Sequence, residues 1–431
     1  MGSEVRLEPG KTLLLDGPAS ARVVSGRVSI FGAELGPGRR VVVRKGRRLP
    51  VEALEPAELE VVLGQGGASS VVEGSPIPAS WREAAEQAVS LAPPAKVMVL
   101  GAVDVGKTSF CTYLANTALR AGRSVGIVDA DVGQSDIGPP CTIGFARITR
   151  PIRDLSEVRA EQVFFLGDKT PSYMVKRAIE GVKAMVEAGE RAGVELLIVN
   201  TDGWVSGQGA AEYKRALAEA VKPALIVALR RSQELEHILR ALEGWEVRVL
   251  EASPFVKERD RAVRRELRAQ GYRRYLEGAK VISVQLDWVE LEGDLPGAGL
   301  RPSRERLAMI TSSLGTRPLY CEEDPEKLTL VFDRDEPIPS PEELSGLEAL
   351  LGKKVRVVLK GEEKGLLVAL YDAEGRFLGI GIVVCIDYRK RAARVFTPAD
   401  EDSVAKMCVG RIRLDKDGNE LEEPMLVAPR T

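Results

Sequence analysis

Gly101-Ala102-Val103-Asp104-Val105-Gly106-Lys107-Thr108 follows the apolar run Val97-Met98-Val99-Leu100 and precedes a helix-forming stretch, 110–120. Two glycines at this spacing, then Lys and Thr, between a strand and a helix, make a complete P-loop. The glycines let backbone N–H groups close around phosphate oxygens. Lys107 is placed to reach the β- and γ-phosphates, and the Thr108 hydroxyl to bind Mg²⁺. The helix that starts near Thr108 and Ser109 brings its positive dipole end to the same place. The segment 101–109 is therefore expected to bind a nucleoside triphosphate. What the motif leaves open is the acceptor of the phosphoryl group.

Around this segment, apolar runs at 96–100, 125–130, 162–166, 194–200, 224–229 and 246–250 alternate with helical periodicity at 174–188, 210–220 and 233–242. That alternation predicts an α/β domain with a mostly parallel sheet and helices on both faces. Ligands then sit at the carboxyl ends of the strands. Residues 1–75 are rich in Val, Leu and Gly with turn signals at Gly17-Pro18, Gly32 and Gly36-Pro37, which reads as a small all-β domain. A helix pattern at 81–90 and the break Pro93-Pro94 lead into the central part. From Val281 onward short β runs return, at 354–360, 365–371, 377–386 and 393–396, and predict a small β barrel or sandwich. The expected division is 1–92 (N-terminal β domain), 93–280 (P-loop domain with lid) and 281–431 (C-terminal β domain).

With 431 residues, 44% apolar and 29% charged, the chain has ample material for a buried core. A net charge of −2 argues against a uniformly basic coat, so any polyanion site is a local patch. The 5 cysteines are scattered and the chain has 1 His, His237, so no Cys or His metal spacing arises. No signal-peptide pattern or membrane-length apolar run is present, which predicts a cytoplasmic setting. Arg and Glu abound while Asn and Gln are scarce, a bias seen in heat-adapted proteins.

Three further segments carry candidate chemistry. Val128-Asp129-Ala130-Asp131-Val132-Gly133-Gln134 ends an apolar strand. Residues two apart face the same side of an extended chain, so one Asp is a candidate to hold Mg²⁺ through water and the other to orient an attacking hydroxyl. The structural alternative is a cap for the following turn. Asn200-Thr201-Asp202-Gly203-Trp204 is again a strand end, where Trp204 is either a stacking platform for a base or a packing anchor. The run from Lys257 to Arg268 is the strongest basic stretch, and Arg259 and Arg264 are candidates to close over the γ-phosphate. Its alternative is a solvated helix with internal Glu–Arg pairs.

In this order, the P-loop, Asp131-Val132-Gly133-Gln134, the Gly167…Thr170-Pro171 turn, Asn200-Thr201-Asp202-Gly203-Trp204 and the Arg259/Arg264 pair resemble the polynucleotide 5′-hydroxyl-kinase family. Eukaryotic members of that family associate with mRNA 3′-end cleavage and tRNA splicing; archaeal members are stand-alone RNA kinases. The resemblance extends weakly to Gly17-Pro18-Ala19-Ser20 and covers the first two-thirds of the chain. It implies a P-loop kinase domain flanked by two β domains, and transfer of the γ-phosphoryl group of ATP or another NTP, with Mg²⁺, to the 5′-hydroxyl of RNA or DNA. By position it assigns Lys107 to phosphate, Thr108 and more weakly Asp129 to the metal, and Asp131 to the 5′-hydroxyl. Gln134, Thr170, Pro171 and Trp204 fall to the nucleic acid, and Arg259 and Arg264 to the lid. Two other classes compete: a scaffold that binds ATP without turnover, and a partition- or switch-type NTPase. The intact site speaks against the first. The absence of an Asn-Lys-x-Asp motif, and of the extra P-loop lysine that would fall at Ala102, speaks against the second.

Overall fold

Alternating buried residues in short strands build the N-terminal part of the computed structural model, which describes residues 2–421. Strands β1 (Ser3–Leu7), β2 (Lys11–Asp16), β3 (Ala19–Ser25), β4 (Val28–Ile30), β5 (Ala33–Leu35), β6 (Arg40–Val43), β7 (Arg48–Ala53), β8 (Ala57–Leu63) and β9 (Ala68–Glu73) follow one another. They form two antiparallel sheets, ordered β1-β8-β3-β6 and β5-β4-β7-β2-β9. In β8 the pattern is strict: Ala57, Leu59 and Val61 are buried while the residues between them are not, as a one-sided sheet requires.

Helix α1 (Ala79–Ser90) then buries Trp81, Ala84, Ala85 and Ala88 at helical spacing. The core continues through β10 (Ala95–Gly101), α2 (Lys107–Arg120), β11 (Val125–Ala130), β12 (Thr142–Ile148), β13 (Gln162–Phe165), α3 (Val175–Arg191), β14 (Leu196–Thr201), α4 (Gln208–Val221), β15 (Leu225–Arg230), α5 (Glu236–Ala241), β16 (Val247–Glu251) and α6 (Arg261–Tyr275). The sheet order is β13-β12-β11-β14-β10-β15-β16. Strands β11, β14, β10, β15 and β16 are parallel, and β12 pairs antiparallel on both sides. The parallel strands are covered on both faces and read as unbroken apolar runs, such as Val97 to Leu100. Their carboxyl ends gather the P-loop, the Asp131 loop and the Trp204 loop, as a doubly covered sheet predicts. Strand β12 is additional to the expected strands, because its apolar stretch sits behind Gly138-Pro139-Pro140, which reads as loop. The basic run becomes helical only from Arg261, which leaves Lys257 to Asp260 as loop.

Contacts divide the chain into two compact units, one up to Gly271 and one from Tyr272. The second holds a six-stranded sheet, β17 (Lys280–Gln285), β24 (Ala392–Thr397), β23 (Phe377–Asp387), β22 (Leu366–Tyr371), β25 (Lys406–Arg413) and β18 (Glu290–Glu292), in that order. It does not close, because its edges β17 and β18 do not pair with each other. The β expectation for this region also missed a small α/β layer. Helices α7 (Arg304–Leu314) and α8 (Pro341–Leu351) accompany a sheet β19 (Tyr320–Glu323), β20 (Lys327–Phe332), β21 (Lys354–Leu359). Their start signals are in the sequence: Ser303 caps α7, and Ser340-Pro341 with Glu343 makes a full capping box on α8. Among the described residues no helix is long and apolar enough to cross a membrane.

Candidate active site

The P-loop turns where β10 runs out and α2 begins. Gly101 and Gly106 take φ of +154° and +101°, and a Cβ on Gly101 would lie 2.4 Å from the Leu229 carbonyl oxygen. No side chain there fits without moving backbone. Helix α2 starts at Lys107 with no side-chain cap, so its first N–H groups are left for an anion. Lys107 is buried, and its Nζ donates to the Ala102 carbonyl at 2.8 Å. Beneath the loop lies Trp81, fully buried, edge-on to Phe110 with ring centroids 5.5 Å apart. Its Nε1 donates to the Glu251 carbonyl at 2.9 Å. Truncating so buried an indole to Ala costs about 3–5 kcal/mol.

The two aspartates of the second element part company. Asp129 is fully buried and holds its own loop. Its oxygens accept from Asp136 N at 2.7 Å, Asp131 N at 3.3 Å, Ser135 Oγ at 3.2 Å and Asn200 Nδ2 at 3.0 Å. It therefore stands behind the cleft, as the cap for the following turn, and does not line it. Burial, with Asp136 and then Asp131 close by, pushes its carboxyl above the ordinary range. Asp131 does line the cleft and accepts from Gln134 N at 3.2 Å. Burial raises its pKa most, Lys107 pulls it back, and Asp202 and Asp136 add to the rise; the net direction is up.

Asn200 bridges Asp129 and the Thr108 hydroxyl, which lies 3.5 Å from its Nδ2. The Oδ1 of Asn200 is buried without a hydrogen-bond partner among the described residues. One residue on, Thr201 Oγ1 and Asp202 receive the buried ammonium of Lys214, with Nζ 3.0 Å from Asp202 Oδ2. Burial presses the Lys214 pKa down although Asp202 opposes it. Asp202 Oδ1 accepts from Trp204 N at 2.9 Å, so Lys214 anchors the tryptophan loop from below. Gly203 lies flat against the P-loop: a Cβ there would sit 2.5 Å from Val103 Cγ1. Trp204 itself stacks on Tyr213 with centroids 5.5 Å apart. The packing-anchor reading of Trp204 thus describes one face of its ring.

Thr170 caps the short turn Pro171–Tyr173, and Pro171 is buried. That turn abuts the Asp131 loop, since a Cβ on Gly133 would be 3.0 Å from the Lys169 carbonyl. Opposite lies the lid. Arg259 Nη1 is 3.4 Å from Asp104 Oδ1 and 3.4 Å from Gln134 Oε1; Arg264 Nη1 is 3.3 Å from Asp104 Oδ2. Burial lowers the Arg259 pKa, and the nearby Arg47 lowers it further despite Asp104 and Asp136. Such crowding of positive charge favours an incoming anion.

The N-terminal sheets supply the remaining wall, which sequence reading did not place. Arg47 pairs with Asp136 and, at 3.8 Å, with Asp154. Arg48 grips Asp16 through two bonds of 2.7 and 3.0 Å, and Lys257 reaches the same carboxylate at 3.3 Å. Against its burial, these cations hold Asp16 below the usual carboxylate range. Together the walls form a cleft with a cavity volume of about 100 Å³. Val103, Asp104, Gly106, Lys107, Thr108, Ser109, Asp131, Gln134 and Arg259 line it, whereas Gly101, Ala102, Val105, Arg264, Thr170, Pro171 and Trp204 stand around it. Arg47, Arg48, Asn200 and Lys214 are the residues that sequence reading left unassigned. Only their burial and long-range partners mark them.

A family model described as the P-loop of mRNA cleavage and polyadenylation factor CLP1 matches residues 101–278. The polyribonucleotide 5′-hydroxyl-kinase of Pyrococcus abyssi is 32% identical over 349 residues, covering 78% of this chain and 93% of that protein. Its namesake in Methanocaldococcus jannaschii is 31% identical over 334 residues, 76% of this chain and 89% of that protein. The solved structure of wild-type Clp1p with a segment of Pcf11p aligns with a TM-score of 0.66 at 15% identity, over 96% of this chain and 98% of that one. At that identity the likeness concerns the fold.

Proposed function

The chain belongs to the polyribonucleotide 5′-hydroxyl-kinase family and is a phosphotransferase, and from this premise we propose that it moves the γ-phosphoryl group of ATP, or another NTP, to the 5′-hydroxyl of an RNA strand, with DNA as the alternative acceptor. The observation that carries the reading is Asp131: a carboxylate of raised pKa, lining the cleft beside the P-loop, across from the lid arginines. A base for a hydroxyl works best when its pKa is shifted toward the working pH. Asp131 takes the 5′-hydroxyl proton as that oxygen bonds to the γ-phosphorus. The bond from the γ-phosphorus to the β,γ-bridging oxygen breaks, and its electron pair leaves with the nucleoside diphosphate. Lys107, Arg259 and Arg264 hold the charge spread over the transferring oxygens. Trp204, half-buried at the strand end, is assigned to stack on the terminal nucleotide, and Gln134 and the Thr170-Pro171 turn to contact the strand.

The residues fit Mg²⁺. Among the described residues no cluster of His, Cys, Asp and Glu forms a metal cage, and Mg²⁺ needs none, since it takes one or two protein oxygens together with phosphates and water. Thr108 would hold it; Asn200, beside the Thr108 hydroxyl, keeps its Oδ1 unpaired among the described residues, and Asp129, behind the cleft, is tied to Asn200. When bound, the ion neutralises the β- and γ-phosphate charge.

The test is transfer of γ-³²P from ATP to a short 5′-hydroxyl oligoribonucleotide, beside the same strand already 5′-phosphorylated. Label on the hydroxyl strand alone is expected. ATP binding with no label on either strand would replace the kinase reading with the scaffold.

A further inference from the structure

We propose that Asp104, the fourth residue of the P-loop, positions the two lid arginines for phosphoryl transfer. The inference rests on the kinase reading. A P-loop binds phosphate through backbone N–H groups, so a carboxylate at this point needs a reason. Beside phosphate oxygens a second negative charge is repelled. Yet the Asp104 side chain is only 6% exposed, and its charge is answered entirely from the lid. Its Oδ2 accepts from the Arg259 backbone N at 3.0 Å and lies 3.3 Å from Arg264 Nη1. Its Oδ1 lies 3.4 Å from Arg259 Nη1. Arg231 adds a further tie, since it donates to the Asp104 carbonyl and pairs with Glu258 at 2.6 Å.

The backbone suits the task. Asp104 has φ +55°, a left-handed conformation that Asp, Asn and Gly adopt most readily. The segment it holds, 252–260, has no helix or strand of its own, so its order comes from such contacts. Arg264 is fixed a second time, through Nη1 to the Arg259 carbonyl at 2.6 Å. Arg259 keeps its Nε buried and without a hydrogen-bond partner among the described residues, at the cleft wall. Asp104 thus occupies part of each guanidinium and leaves donors over for phosphate oxygens. The arginines stand ready before the γ-phosphate arrives, and little reorganisation is left for the reaction itself.

Asp104→Asn is the decisive variant, because Asn keeps the size, the left-handed φ and an acceptor for the Arg259 amide while it removes the charge. Asp104→Gly removes the side chain and keeps the turn. Both are expected to lower the single-turnover rate about 10- to 100-fold, within the range for misplaced charge-stabilising groups, with ADP affinity within about threefold of wild type. In an Arg259→Ala/Arg264→Ala background, Asp104→Asn should add less than about a twofold loss, since coupled residues are not additive. Without nucleotide, the Arg259 amide of Asp104→Gly should exchange hydrogen about tenfold faster or more. Multiplicative losses in that background, a faster rate in Asp104→Asn, or unchanged exchange in Asp104→Gly would each overturn the proposal. The exchange measurement needs no turnover. A wild-type protein without kinase activity but with a protected Arg259 amide would therefore sink the functional reading and leave the Asp104 contact standing.

Discussion

Glu322 in the C-terminal unit and Asp131 in the cleft are both acids removed from much of the solvent, and they are treated in opposite ways. Glu322 Oε2 accepts from Gly297 N at 2.9 Å, Gly299 N at 2.8 Å and the Tyr320 hydroxyl at 3.1 Å. Glu363, in the same unit, accepts from Gly361 N, Ile386 N and the Tyr388 hydroxyl. These carboxylates are surrounded by donors. They knit loops to the sheet, and each buried charge is compensated by neutral dipoles. Asp131 instead has its pKa raised, first by burial; Lys107 pulls it back, and Asp202 and Asp136 add to the rise. A buried acid is thus no mark of function in itself. A raised pKa, other acids close by, orphaned polar atoms nearby and an open cleft separate Asp131, the proposed base, from the structural carboxylates.

Exchanging charge for neutrality at each site breaks this comparison if it is wrong. The largest effect is expected at Asp131→Asn: transfer falls about 10²- to 10⁴-fold, the range of general-base catalysis, while ADP still binds. Its folded-state pKa lies above the unfolded value of 3.8. The folded protein therefore holds the proton more tightly, and stability falls as pH rises through the window above that value. The neutral Asn escapes this cost, so the ligand-free variant should melt higher than wild type at pH 7, and the gain should shrink as acid protonates the wild-type carboxyl. Thermal melts at neutral and acidic pH decide it; a variant less stable than wild type at pH 7 would put Asp131 with the structural acids.

Glu322→Ala should do the reverse. It leaves two amides and a phenol without their acceptor and costs about 2–5 kcal/mol of the C-terminal unit's stability. Denaturant unfolding reads that loss, and transfer per folded molecule should be unchanged. The smallest effect is expected at the rim. Trp204→Ala removes a stacking surface worth about 1–3 kcal/mol per base. It should raise the KM for the oligonucleotide without changing ADP affinity; equal values in variant and wild type would confine Trp204 to packing on Tyr213.

The parts of the site that could be read beforehand are local in sequence. The P-loop is eight consecutive residues, Asp131 to Gln134 is a strand-end signature, and Arg259 and Arg264 stand out by charge and spacing. Lys214 could not be found this way, because a lysine in an amphipathic helix looks solvated until the fold closes over it. Arg48 meets Asp16 across a sheet and Lys257 from the far end of the domain, pairings that no local pattern encodes. Asp129 lies behind the cleft for a related reason. Period-two spacing puts it on the side of Asp131 only while the chain stays extended, and β11 ends at Ala130. In the last third, the capping box at Ser340 is legible, but the β runs around it resemble an all-strand pattern.

Trp81 belongs to the helix that precedes Pro93-Pro94, yet it lies beneath Gly106 and holds the carbonyl of Glu251, the last residue before the lid loop. Seen as a question of modularity, this makes the N-terminal part inseparable from the nucleotide core. A chain cut at the two prolines would lose not an appendage but the plug under its own phosphate loop, together with Arg47, Arg48 and Asp16. Any recombination that respects this protein must carry the two as one inherited block.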